Sequence, residues 1–165
     1  MKDGKALLSK AYGLADVDHA IPASTNTNYR LASVTKQFTA TAVLKLVDQG
    51  KLSLDSRLAD VLAGALPYAR DVRIRHLLNH TSGLVDYEDF VPDTQTVQVL
   101  DADVLRLLSK IDTMYFPAGR KYRYSNSGYA LLALVVESVS GQPFAVFLKQ
   151  NIFEPLGMNH TVAFQ

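Results

Sequence analysis

A serine and a lysine stand three residues apart in Leu31-Ala32-Ser33-Val34-Thr35-Lys36, where a polar loop gives way to an apolar run. Residues 38 to 47 read Phe-Thr-Ala-Thr-Ala-Val-Leu-Lys-Leu-Val, apolar on most faces, which predicts a buried helix. Ser33 falls where an N-cap is expected. A capping box would put Glu or Gln three residues later, and this chain puts Lys36 there instead. A lysine at that place meets the positive end of the helix dipole. Two readings fit. In one, Ser33 is a cap and Lys36 a solvated side chain. In the other, Ser33 is a nucleophile whose proton passes to Lys36. Burial and the helix N-terminus both disfavour an ammonium there and favour the proton-accepting amine. The N–H groups of the first turn would then help to bind a developing oxyanion.

A second group, Tyr124-Ser125-Asn126, precedes another apolar run about ninety residues later. Ser125 or Asn126 reads plainly as a helix cap, with Tyr124 as a packing residue. The chemical reading makes Tyr124 a proton shuttle working with Lys36, and Asn126 a hydrogen-bond partner for substrate and lysine. Each group is a weak signal singly. Two such groups, each at the head of an apolar helix, are a much stronger one.

The remaining candidates are weaker. His76 and His80 are four apart, but Leu77-Leu78-Asn79 lie between them, without the glutamate of a metalloprotease helix. A helix end followed by a turn is the expectation there, with no metal. The chain has no Gly-x-Ser-x-Gly elbow and no glycine-rich phosphate loop. No cofactor is called for. The absence of cysteine excludes thiolate catalysis, disulfides and cysteine zinc sites. A formal net charge of +1, with no long basic run, gives no footing for nucleic acid. The longest apolar run, Tyr129 to Val136, falls far short of the roughly 20 residues of a membrane span.

The elements that must position these residues read as follows. A strand is expected over residues 5–15 and a loop over 16–28. The first buried helix spans about 34–49, with Gly50 at its C′ position. Short helices are expected near 56–63 and 73–80, then a turn at Thr81-Ser82-Gly83 and a long surface loop over 84–100. A helix capped by Asp101 or Asp103 runs through Lys110, and Lys121 to Tyr124 is extended. The second buried helix covers about 127–140, and Pro143 opens a last amphipathic helix through about Phe153. A lone strand has no sheet to join, so the chain reads as incomplete.

With these residues in place, the sequence resembles the serine β-lactamase and penicillin-binding-protein superfamily, in the branch of class C β-lactamases, DD-peptidases and esterases. The resemblance is carried by Tyr29-Arg30-Leu31-Ala32-Ser33-Val34-Thr35-Lys36-Gln37-Phe38 and by Gly50-Lys51-Leu52-Ser53-Leu54-Asp55. It continues through Ile74-Arg75-His76-Leu77-Leu78-Asn79-His80-Thr81-Ser82-Gly83-Leu84, Pro117-Ala118-Gly119, Tyr124-Ser125-Asn126-Ser127-Gly128-Tyr129 and Pro155-Leu156-Gly157-Met158.

The resemblance implies an α+β chain, mostly helical, with a β-lactamase/transpeptidase-like fold lacking the C-terminal sheet strands, so that residues 1–165 form a single partial domain. It implies acyl transfer to Ser33 from a β-lactam, ester or D-amino-acid peptide. Lys36 and Tyr124 would move protons, Asn126 would bind substrate, and the Ser33 N–H would serve the oxyanion. The family's third motif, Lys-Thr-Gly or His-x-Gly, has no match after Asn126. Two alternatives therefore stand beside the hydrolase: a catalytically impaired fragment, and a non-catalytic binding module. A second copy or a complementing chain is the implied partner. The compartment stays open, since many family members are exported.

Overall fold

The computed structural model describes residues 2–64 and 66–164. Its main elements are a small hairpin and six α-helices: β1 (Leu14–Asp16), β2 (Ile21–Pro22), α1 (Lys36–Asp48), α2 (Leu58–Val61), α3 (Ile74–Leu78), α4 (Asp101–Leu108), α5 (Asn126–Ser140) and α6 (Phe144–Leu148). A 3₁₀ turn, Ala32–Thr35, leads into α1, and a π-helical turn, Lys149–Phe153, continues α6.

The organising element is α5, and its composition explains why. From Ser127 to Val136 nearly every side chain is buried, leaving no solvent face over that stretch. Such a helix needs cover on all sides. Helices α1, α3, α4 and α6 all pack against it. At Gly128 a β-carbon would lie 3.4 Å from the Leu77 carbonyl, so the missing side chain lets α3 approach closely. Helix α5 ends at Gly141, which has a left-handed φ of 71° as a C′ glycine should.

Helix α1 buries one stripe, Thr39, Ala42, Val43 and Leu46, at helical spacing. It is less buried than its sequence predicts, and Leu44 is 49% exposed. Phe153 of the π-helical turn meets Phe38 of α1 edge-on, with ring centroids 5.4 Å apart. No single helix among the described residues is long and apolar enough to cross a membrane.

Three expectations are corrected. The strand placed at 5–15 is a ladder only at Leu14–Asp16, paired antiparallel with Ile21–Pro22 from the expected loop. Residues 6–13 pair with no other strand among the described residues, and Leu8 is 73% exposed. Extended backbone becomes a strand only where a neighbour takes its hydrogen bonds. Ser33 is not an N-cap, because it lies inside the 3₁₀ turn Ala32–Thr35, and Thr35 is the residue that precedes α1. The stretch 84–100 is only partly a surface loop: Ser82 through Asp86 is core, and Tyr87–Phe90 forms a 3₁₀ turn.

That buried stretch ties the molecule together. Residues 80–83 lie beside 115–123, joined by backbone bonds from Tyr115 N to Gly83 O (2.8 Å), Gly119 N to Thr81 O (2.8 Å) and Arg123 N to His80 O (2.9 Å). Gly83 has φ of 74°, and a β-carbon there would sit 1.9 Å from the Phe116 carbonyl oxygen. Three residues on, the buried carboxylate of Asp86 accepts the Asn126 N–H at 2.8 Å and the Glu88 N–H at 3.3 Å. It thereby caps α5 from another part of the chain and sets a negative charge on its positive end.

Two predictions follow from these contacts. Gly83→Ala should destabilise by about 3 kcal/mol or more, since a backbone clash adds to the left-handed penalty. Gly50→Ala, with φ of 67° and open space around it, should show only the conformational part, about 1–2 kcal/mol. Asp86→Ala leaves the Asn126 N–H unpartnered and should cost about 1–3 kcal/mol, whereas Asp86→Asn keeps an acceptor and should cost less. Urea unfolding of the four variants measures both orders.

Candidate active site

The four residues singled out by spacing come together where the first turns of α1 and α5 meet. Ser33 Oγ and Tyr124 Oη share a hydrogen bond of 2.5 Å across ninety-one positions of sequence. Lys36 Nζ donates to Ser33 Oγ at 3.3 Å and to Asn126 Oδ1 at 2.6 Å. The same ammonium lies 4.8 Å from the centre of the Tyr124 ring and 5.4 Å from that of Tyr129. The side-chain hydroxyl, phenol, amine and amide therefore form one connected group.

Local geometry places each member. Ala32, just ahead of Ser33, has a left-handed φ of 45°, which a residue with a β-carbon adopts only at a cost of about 1–2 kcal/mol. The bend lets the 3₁₀ turn start abruptly, with Ser33 on its outside and exposed. Lys36 is the first residue of α1, and Asn126 the first of α5. Tyr124 stands two residues ahead of α5, at the end of the extended segment held by the His80 carbonyl. It is 40% exposed, so one side of the group is open to water.

The electrostatics centre on Tyr124 and Lys36. Partial burial pushes the Tyr124 phenol up, but its interactions with Lys36 and Ser33, together with the Lys36 charge, outweigh that and hold it below 10.0. No carboxylate among the described residues forms a salt bridge with Lys36. Its contacts are neutral oxygens and ring faces, and its charge helps to hold the phenol down.

Three contributors escape a reading of spacing. Asp86 holds the first N–H of α5 and so fixes Asn126. Tyr129 lines the other side of Lys36 and donates its hydroxyl to the Leu78 carbonyl at 2.9 Å. His80 lies 4.5 Å from the Tyr124 ring, centre to centre. The Asn79-His80-Thr81 turn marks the place in the sequence, but only tertiary contact shows its neighbour. The two histidines face different partners: His76 Nδ1 accepts the Arg73 N–H at 3.2 Å, at the start of its own helix. Ser125, the N-cap of α5, buries its hydroxyl with no hydrogen-bond partner among the described residues.

Known proteins resemble this chain in sequence and in fold. The chain is 38% identical over 161 residues to penicillin-binding protein 4* of Bacillus subtilis, covering 96% of this chain and 35% of that relative. It thus spans about a third of the length of that curated relative. Among solved structures, a penicillin binding protein from Bacillus halodurans superposes with a TM-score of 0.82 at 40% identity, over 93% of this chain and 47% of the other. The D-amino acid amidase of Ochrobactrum anthropi superposes with a TM-score of 0.77 at 31% identity, over 90% and 42%. The mostly helical fold seen here is therefore part of the fold shared by this penicillin binding protein and this D-amino acid amidase. A family model described as Beta-lactamase matches residues 1–165, and the chain belongs to that family.

Proposed function

We propose that this chain carries the acylating half of a serine hydrolase, with Ser33 as nucleophile, Lys36 and Tyr124 as its proton-handling pair and Asn126 as a substrate contact. The observation that carries the reading is the pair of hydrogen bonds at Ser33 Oγ, one shared with Tyr124 Oη at 2.5 Å and one donated by Lys36 Nζ at 3.3 Å. A serine hydroxyl is a poor nucleophile until a base within hydrogen-bond reach removes its proton. Tyr124 Oη is within hydrogen-bond reach and is held below its ordinary value beside Lys36, so this reading assigns it that base, acting as the phenolate.

With Tyr124 starting as the phenolate, Ser33 Oγ attacks the carbonyl carbon of an ester or amide as its proton moves to the Tyr124 oxygen, which becomes the neutral phenol. The tetrahedral intermediate collapses, the carbon–heteroatom bond breaks, and the proton passes from Tyr124 to the departing alcohol or amine. Lys36 steadies the phenolate while it exists. Water, deprotonated by the same oxygen, then cleaves the acyl-enzyme and restores the Ser33 hydroxyl. Asn126, with Oδ1 turned to Lys36, presents its NH₂ group to a substrate carbonyl.

The substrate class proposed is an acyl compound with a compact polar substituent: a D-amino-acid amide or peptide, a β-lactam or a short ester. Similarity to a penicillin-binding protein and a D-amino acid amidase supports the first two. The exposure of Ser33 and Tyr124 favours a second reading, in which the chain is acylated but deacylates slowly for want of a closed oxyanion site.

Intact-mass measurement with a fluorophosphonate, followed by a nitrophenyl ester and a D-amino-acid anilide, tests both readings. One adduct per wild-type chain and none on Ser33→Ala is the expected result. Tyr124→Phe should slow labelling by about 10²–10⁴-fold, and combining it with Lys36→Ala should add little, since the two act as a unit. Burst release without turnover marks the second reading, and a wild-type chain that no acyl donor labels refutes both.

A further inference from the structure

His80 occupies a position that a β-carbon makes costly. It follows the C-cap of α3 and has a left-handed φ of 59°. Glycine or asparagine is the ordinary occupant of such a helix end. A large ring there needs a use, and its neighbours supply one. The imidazole lies 4.5 Å from the Tyr124 ring at a 31° tilt and 5.2 Å from the Tyr129 ring at 34°. Tyr122 meets it edge-on at 6.1 Å. Its Nδ1 accepts the backbone N–H of Ser125 at 3.3 Å, and its carbonyl accepts that of Arg123 at 2.9 Å. One residue therefore grips the backbone on both sides of Tyr124 and covers a face of its ring.

We infer that neutral His80 is a positioning residue for Tyr124, fixing the phenol on Ser33, and that protonation of the imidazole releases that hold. Accepting at Nδ1 requires the neutral ring with its proton on Nε2. In the imidazolium both nitrogens are donors, so an N–H would face the Ser125 N–H and the bond would be lost.

The charged groups around the ring set the direction. Burial lowers the affinity of His80 for a proton, Lys36 of α1 lowers it further, and the Ser125 N–H bond and Asp86, from the buried stretch before α5, oppose them more weakly. The phenols of Tyr122, Tyr124 and Tyr129 complete its surroundings. The ring therefore titrates below its ordinary 6.5 and is neutral at physiological pH. Its proton would arrive next to a cation already seated over Tyr124 and Tyr129.

The inference rests on the acyl-transfer reading for its rate measurement, and a second measurement stands apart from it. Heteronuclear spectra of the labelled full chain, titrated from neutral pH downward, follow the His80 imidazole, the Ser125 amide and the Tyr124 ring together. The expected result is a common midpoint below 6.5. The rate of fluorophosphonate labelling at Ser33 should fall with the same midpoint.

His80→Asn keeps a residue suited to the left-handed turn and an acceptor oxygen but removes the ring and its proton. It should lose the acid limb, with labelling slowed about 10-fold at neutral pH. His80→Phe keeps a ring without an acceptor and should lose the limb and slow labelling by about 10- to 100-fold, as expected of a misplaced proton carrier. A Ser125 amide and Tyr124 ring that ignore the His80 titration overturn the inference, as does an acid limb that persists in His80→Asn. If the wild-type chain is never labelled, the acyl-transfer reading fails and the spectra alone decide the role of His80.

Discussion

The hydrogen bond from the Asn126 N–H to the buried carboxylate of Asp86 sets the frame for the rest of the molecule. Helix α5 is buried almost all round, so the positive end of its dipole cannot be left to water alone. A carboxylate supplied forty residues earlier meets that need. It also fixes where the buried stretch 82–86 lies relative to α5, and the backbone bonds from 80–83 to 115–123 extend the tie. Tyr124, Ser125 and Asn126 are held between these two attachments. A loop that would otherwise sample many conformations is thereby restricted, which is the condition that the proposed proton-carrying role of Tyr124 requires.

Within that frame the site runs on one cation and neutral partners. Lys36 begins α1, where the helix dipole opposes it, and a carboxylate beside it would relieve the opposition. The chain uses the Asn126 carbonyl oxygen and two tyrosine ring faces instead. An ion pair would have neutralised the ammonium. Neutral acceptors orient it and leave its field on the Tyr124 oxygen, which is the sense in which that phenol is displaced. Asp86, the negative charge behind Tyr124, is engaged by backbone N–H groups and pulls the phenol weakly the other way.

How much of this was legible depended on whether the signal was local. Ser33, Lys36, Tyr124 and Asn126 could be singled out because residue type and position at a helix head are written in a few consecutive letters. The two long helices were legible through their apolar period, and Gly141 marked the end of α5. What failed was whatever depends on a partner. Residues 5–13 have strand-like composition, but pairing is decided by a neighbour that the composition does not name. Leu44 belongs to an apolar run yet stays half exposed, because burial is set by what packs on α1 and not by its own period. His80 reads as the end of a helix, and in the structure it directly follows the C-cap of α3. Its second role arises only when the turn at 80–83 lies against the segment leading to Tyr124, a contact with no periodic signature.

The meeting of two helix heads gives the arrangement its chemical direction. The first residues of α1 and α5 are joined through Lys36 and Asn126 at 2.6 Å, so two positive dipole ends and one ammonium converge beside Ser33. Gathering like partial charges is unfavourable, and Asp86 offsets it at α5 only. The uncompensated remainder lies on the α1 side, where Ser33 stands in the 3₁₀ turn. In the proposed acyl transfer, a tetrahedral adduct on its hydroxyl would carry a negative oxygen that the ground state lacks. Fixed positive charge that is unfavourable before reaction becomes favourable as that oxygen forms, without any group having to move. The strain at Ala32 and the left-handed turn at His80 belong to the same economy, since each holds a side chain in a place that the resting fold alone would not favour.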